Sequence, residues 1–317
     1  MELTDNITDD TIEKLYIQKK SYDNFIYLGK GGTAIVYRYK NHALKIIEKN
    51  KFNKSEYDLS IYFNSFLDEN KSINFLRVYN LHEFKNYNII EMELADGDLY
   101  RWIEKKKSDE EWLMMILQLL ITIRILQQKI NFFHRDLKPK NILFKKFDST
   151  NEFTYRLNNK EYKIKFDTIF YLTDFTHSES DITEKKKSEY INIDSDLREL
   201  ENLPKRLKVD KLIGKYNLNE IIKIGNTSKL NENFTSYYNN EIKKTDITLK
   251  KYPQHVKEKF IKRSLIYYLL ENKIIDYKLD VMSNKISMIL SQLTMLDLDE
   301  KIDEINEIYN NLTSALK

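Results

Sequence analysis

The octapeptide His134-Arg135-Asp136-Leu137-Lys138-Pro139-Lys140-Asn141 constrains this chain more than any other segment. It sets a carboxylate, an ammonium and a carboxamide at the offsets phosphoryl transfer requires, directly after a long apolar run. That run, Trp112 to Leu126, is interrupted by Gln118, Thr122 and Arg124. It is too short and too polar to span a bilayer, so it predicts a helix buried on most sides. A solvated charged turn after such a helix would explain an acid and some bases, but not the whole octapeptide.

Other segments are ordered around it. Upstream, Leu28-Gly29-Lys30-Gly31-Gly32-Thr33-Ala34-Ile35-Val36-Tyr37 lies between strand-like runs, Phe25 to Leu28 and Val36 to Tyr39. Alone it is also a plausible hairpin turn. Glycine there lets backbone amides approach an anion that a side chain would keep away. His42-Ala43-Leu44-Lys45-Ile46-Ile47 alternates as a strand does, with a lysine among apolar residues that is costly unless something negative meets it. A helix is expected from near Ser55 through Tyr57, Leu59, Ile61, Phe63 and Phe66. It offers Glu56 to Lys45, with Asp58 as the fallback, although Glu56 also suits a solvated helix start. Downstream, Phe170 to Thr176 reads as a strand ending in Asp174-Phe175-Thr176.

In this order the segments resemble the eukaryotic-type Ser/Thr protein kinases, with their glycine-rich loop, V-A-I-K lysine, H-R-D-L-K-P-x-N catalytic loop and D-F-G tripeptide. The resemblance implies an α+β, two-lobed fold: residues 1–20 an extension, 21–94 a small β-rich lobe, 95–317 a larger, mostly helical lobe. It implies transfer of the γ-phosphoryl of ATP to a protein hydroxyl. Asp136 would orient that hydroxyl and accept its proton, and Lys138 would neutralise the γ-phosphoryl. Asn141 and Asp174 would hold Mg2+, and Lys45 would meet the α- and β-phosphates together with Glu56. The nucleotide would also be bounded by Gly29, Gly31, Gly32, Val36, Ala43, the gatekeeper Met92, the hinge residues Glu93, Leu94 and Ala95, and Leu143. Asp98 would lie near the ribose, or would cap a helix from Leu99 to Lys105; both roles are compatible.

Several positions depart from the family pattern. Ala34 replaces the usual third glycine and should stiffen the lid slightly. Thr176 replaces the D-F-G glycine; the metal needs only the carboxylate, but threonine removes backbone freedom and biases the segment toward one conformation. The interval from Asn141 to Asp174 is unusually long, and about residues 150–166 it reads as an added hairpin. Phe153 to Leu157 and Lys160 to Phe166 would be its strands around Asn158-Asn159, solvated in preference to partner-binding. After Asp174 the chain soon reaches Asp196, read as the buried anchor of the catalytic loop or as an exposed N-cap, and no A-P-E tripeptide intervenes. Haspin-like kinases share the threonine and the shortened segment. Arg135 is left with Ser178, Ser180, Thr183 or Ser188 to meet if phosphorylated, or with nothing.

Composition narrows the alternatives. The absence of cysteine excludes disulfides, thiolate metal sites and cysteine catalysis. A net charge of +3 with 32% charged residues gives no field that argues for nucleic acid. The acidic start, Met1 to Asp5, is unlike a secretory signal and points to the cytoplasm. Thr8 to Lys20 reads as a weakly amphipathic helix on the small lobe. Beyond Leu203 the resemblance fades; Lys257–Glu271, Asn284–Leu296 and Asp299–Leu316 carry helical spacing and would complete the large lobe of a monomer, while Asn217 to Ile247 reads as loops with one short helix. The missing A-P-E leaves open a small-molecule phosphotransferase, against which Lys138-Pro139 argues. A nucleotide-binding pseudokinase is opposed by the joint presence of Lys45, Asp136, Asn141 and Asp174.

Overall fold

A computed structural model describes residues 7–182, 195–275, 284–294 and 297–315. These pack as two compact units, one comprising residues up to Leu200 and from Met288 onward, the other Glu201–Ser287.

In the first unit, α1 (Asp9–Gln18) precedes a five-stranded antiparallel sheet of β1 (Phe25–Lys30), β2 (Ala34–Tyr39), β3 (His42–Glu48), β4 (Val78–Glu83) and β5 (Tyr87–Glu93), ordered β1-β2-β3-β5-β4. Strand alternation divides its side chains between two faces. Ile35, Tyr37 and Tyr39 of β2 with Leu44 and Ile46 of β3 form a core with Ile12 and Leu15 of α1. The extension therefore belongs to the small lobe's packing. Val36 and Lys45 lie on the opposite face, paired with each other across β2 and β3. Between β3 and β4, α2 (Lys54–Asp68) begins at Asn53, whose side chain accepts from the Glu56 amide at 3.3 Å.

The chain then passes through β6 (Gly97–Asp98) and α3 (Leu99–Trp102), a single turn where a longer helix to Lys105 was expected. Next comes α4 (Asp109–Ile130), opened by a capping box between Ser108 and Glu111. By composition α4 could cross a membrane, but Trp112, Leu113, Leu117, Leu120 and Ile121 are fully buried. Gln118 and Thr122, which interrupt its apolar run, are buried too, and with Asn74 they fasten the helix to the next strands. Asn74 Nδ2 donates to Gln118 Oε1 (3.0 Å) and to the Phe170 carbonyl (2.6 Å), while Thr122 and Tyr155 hydroxyls donate to Asn74 Oδ1.

Those strands, β7 (Ile142–Leu157) and β8 (Lys160–Leu172), correct the expected insertion. They form one long hairpin rising from the catalytic loop, with Asn158 and Asn159 at left-handed φ of 51° and 62° in the turn, as the Asn-Asn signal implies. The hairpin is not solvated on both faces: Tyr155, Leu157, Tyr162, Ile164 and Phe166 are buried. Their cover comes from α4 and from α10 (Leu298–Ala315). Arg124 of α4 makes a two-point ion pair with Asp299, Tyr162 donates to Asp303, and Tyr309 donates to the Lys165 carbonyl at 2.6 Å.

The boundary between the units falls inside α5 (Ser195–Lys215), and residues 201–287 hold α6 (Leu218–Asn226), α7 (Asn231–Thr248) and α8 (Gln254–Glu271), with α9 (Asn284–Leu290) spanning the second boundary. The loops expected over 217–247 are thus two helices. Asn217 and Glu220 form a capping box at the start of α6, and Ile221 and Phe234 lead apolar faces that meet Leu212, Leu265 and Leu269. Counting asparagines hid those faces. A Cβ on Gly225 would fall 2.2 Å from the Phe234 ring, so α6 and α7 approach at a point only glycine permits.

Candidate active site

Lys45, on the face of β3 away from the α1 core, donates to Glu56 Oε1 at 2.5 Å, and both side chains are largely buried. Glu56 is therefore the carboxylate that meets Lys45, and Asp58 pairs with Lys54 on the exposed side of α2. Alternation along β3 sets Ala43 on the face of Lys45, and Ala43 lies opposite Met92 of β5. At the hinge the Glu93 amide is committed to the Arg77 carbonyl (2.8 Å), and its carboxylate takes Lys145 (2.7 Å) and the Tyr171 hydroxyl. Burial, then the charge of Glu93, pushes the Tyr171 phenol up, so it stays a neutral donor. Asp98 lies opposite Leu143 and caps α3 by accepting from the Arg101 amide at 3.1 Å.

The glycines of the β1–β2 turn have no structural reason to be glycine. A Cβ on Gly29 or Gly32 would meet nothing within 4 Å, one on Gly31 would meet the Ala34 carbonyl at an ordinary 3.7 Å, and no glycine has positive φ. Such a turn fits a ligand that needs the bare backbone.

Helix α4 ends at Asn131 in the left-handed conformation and delivers Phe132 and Phe133 to the catalytic loop. Asp196, fully buried, accepts from the His134 amide (2.7 Å) and the Arg135 amide (2.9 Å). It is an internal anchor and not an exposed cap. These bonds hold Arg135 at φ 66°, a backbone state that costs a side-chain-bearing residue about 1–2 kcal/mol. His134 is buried, and desolvation lowers its pKa despite the nearby acids, so the ring is neutral and Nε2 meets the Thr173 carbonyl at 3.0 Å. Lys138 is ion-paired with Asp136, and Asn141 Nδ2 donates to the Asp136 carbonyl (2.9 Å) and carboxylate (3.1 Å).

Asp174 follows β8 at φ 65°. Burial raises its pKa, but Lys45, the Thr176 hydroxyl and Lys138 outweigh it, and the net direction is down. The carboxylate is thus ionised around neutrality. Phe175 packs edge-on against Phe63 of α2, ring centres 4.9 Å apart. Asp174 and Asn141 supply hard oxygen donors, one charged and one neutral, which suits Mg2+ completed by phosphate oxygens. Among the described residues no group of three or more His, Cys, Asp or Glu comes together.

The sequence reading missed two partnerships. Arg135 has an acid of its own: Nη2 meets Glu179 at 3.2 Å, and Nη1 donates to Ser195. The signal is Glu179 itself, an acid between two serines. Ser178 and Ser180 are buried, and Thr183 and Ser188 lie outside the described residues. Thr176 also does more than restrict its backbone: its hydroxyl lies 2.8 Å from both Glu56 Oε2 and Asp174 Oδ1.

A twisted antiparallel sheet carrying a lysine–glutamate pair, joined through a hinge to a helical lobe that presents Asp136, Asn141 and Asp174, defines a protein-kinase architecture. The protein kinase domain family matches residues 22–192, more than half of the chain, and the chain belongs to that family. It is 28% identical over 130 residues (37% of this chain, 39% of the relative) to a probable myosin light chain kinase of Dictyostelium discoideum. It is 33% identical over 144 residues (42% and 20%) to a probable serine/threonine-protein kinase of the same organism. The chain thus spans well under half the length of these relatives.

Proposed function

We propose that this chain is an ATP- and magnesium-dependent kinase that phosphorylates serine or threonine hydroxyls of a protein substrate. The observation that carries the reading is the buried Lys45–Glu56 pair formed while Asp136, Asn141 and Asp174 are all in place, since family members need these parts together. Lys45 and the backbone of the β1–β2 turn hold the phosphates, and the hinge near Ala95 takes the base. Asn141 and Asp174 are the residues that would hold magnesium, which when bound neutralises charge on the phosphates. Asp136 fixes the substrate hydroxyl in line with the γ-phosphorus. As the new oxygen–phosphorus bond forms and the bond to the bridging oxygen of ADP breaks, Asp136 accepts the hydroxyl proton. Lys138, ion-paired to Asp136 in the free chain, neutralises the transferred group.

The test incubates the purified chain with labelled ATP, magnesium and a generic basic protein, then maps phosphosites, with Lys45→Met run beside it. Label on serine or threonine that falls strongly in Lys45→Met is the expected result. Label only on a small molecule, or none, overturns the protein-kinase assignment.

A further inference from the structure

We infer that Thr176 is a positioning residue whose hydroxyl, not its backbone stiffness, ties the carboxylate that meets Lys45 to the carboxylate that faces the metal. The inference rests on the kinase reading above and concerns a residue to which the family pattern gives no side chain. Glu56 Oε2 and Asp174 Oδ1 both lie 2.8 Å from Thr176 Oγ1. Two carboxylates brought this close repel each other unless positive charge or a donor stands between them. Lys45 supplies the charge, 2.5 Å from the other Glu56 oxygen. Thr176 supplies the donor. A hydroxyl has one proton and free rotation, so it serves either acceptor and keeps both within reach of one point.

The result is a continuous polar chain from β3 through α2 to the turn after β8: Lys45, Glu56, Thr176, Asp174. A second strut runs parallel, since Asn53 at the start of α2 reaches the Thr176 carbonyl at a long 3.5 Å. The Phe175 ring against Phe63 closes the same seam from the apolar side. With glycine at 176 the Glu56–Asp174 link would vanish, and Asp174 would be free to choose rotamers that do not face the metal.

Three variants separate hydroxyl from stiffness. Thr176→Ser keeps the hydroxyl and loses the branch; Thr176→Val keeps the branched shape and loses the hydroxyl; Thr176→Gly loses both. The readout is the affinity of a non-hydrolysable ATP analogue as a function of magnesium concentration, with kcat and KM measured alongside. We expect Thr176→Ser to stay within about twofold of wild type. Thr176→Val and Thr176→Gly should raise the half-saturating magnesium concentration about tenfold and lower kcat similarly, while affinity for the metal-free nucleotide is unchanged, since only the metal-facing carboxylate has lost its support. Magnesium dependence in Thr176→Val equal to wild type, or loss in Thr176→Ser with retention in Thr176→Val, would overturn the role of the hydroxyl. A wild-type chain that binds the magnesium nucleotide yet transfers no phosphate would overturn the kinase reading alone, and the magnesium dependence of the variants would still decide the role of Thr176.

Discussion

In the segments 134–141 and 173–180 almost every polar side chain is engaged by another polar group of the site: Asp136 by Lys138 and Asn141, Arg135 by Glu179, Asp174 by Thr176. In Glu201–Ser287 order comes instead from an apolar core around Leu212, Ile221, Phe234 and Leu265, and the polar residues are mostly at the surface. The two regions are specified differently. A polar constellation tolerates one residue type per position because donor, acceptor and charge must all match. An apolar core asks only for hydrophobic side chains of about the right volume, which many sequences supply.

That contrast sets the sizes of the expected effects. The largest is chemical. Asp174→Asn should abolish turnover, a loss of at least about thousandfold or roughly 4 kcal/mol, and Asp136→Asn should cut the rate comparably while leaving nucleotide affinity nearly intact. Normal turnover by either variant at saturating ATP would break the assignment of the site. Next is packing: Phe234→Ala should destabilise residues 201–287 by about 3–5 kcal/mol, whereas Arg263→Ala, which removes an exposed ion pair to Asp210, should cost under about 1 kcal/mol. Amide exchange of α6 to α8 reads both, and similar losses would mean that polar contacts also specify this region.

A smaller effect concerns activation. Glu179 already meets Arg135, and Ser178 and Ser180 are buried, so phosphatase treatment should leave most activity. The combined Ser178→Ala, Ser180→Ala, Thr183→Ala and Ser188→Ala variant should lose less than about tenfold, on the order of 1.4 kcal/mol. Complete loss on dephosphorylation, restored by a phosphomimetic at one of these positions, would show a conventional loop switch. The smallest effect is in pH. The His134 pKa is lowered from 6.5 by burial, so the unfolded chain binds the extra proton and stability falls as pH falls through the unfolded value. As pH falls from 7 to 6 His134 should therefore remove stability, a slope that thermal melts of His134→Asn should lack.

Much of the site's geometry was legible in the sequence because its residues carry chemistry at fixed spacing: Glu56 meets Lys45, Asn141 meets Asp136, and Asp196 takes the loop amides. Strands β1 to β3 and helix α2 of the small lobe followed from alternation and from the apolar spacing between Tyr57 and Phe66, whereas β4 was not read. What could not be read were partners set by tertiary approach. Glu179 and Thr176 have ordinary neighbours in sequence, and only the turn after β8 brings one to Arg135 and the other between two carboxylates. The hairpin's buried face was hidden for the same reason. Its alternation gave the strands, while Tyr155 is met by Asn74, 81 residues upstream, and Tyr162 by Asp303, 141 residues further on.

That distance has a consequence for how the protein is made. Arg124 and Asp299 are separated by 175 residues, and Lys165 waits for Tyr309 across 144. At ordinary rates of synthesis roughly 7–30 s pass between the emergence of β8 and that of α10. During that interval Tyr162 lies on a finished hairpin that still lacks the part of its cover that α10 supplies. Residues 201–287 emerge in the meantime as an uninterrupted stretch with local contacts, and such stretches close first. The nascent unit thus presents a long amphipathic strand pair before it can fold shut, and that is the species a chaperone would meet.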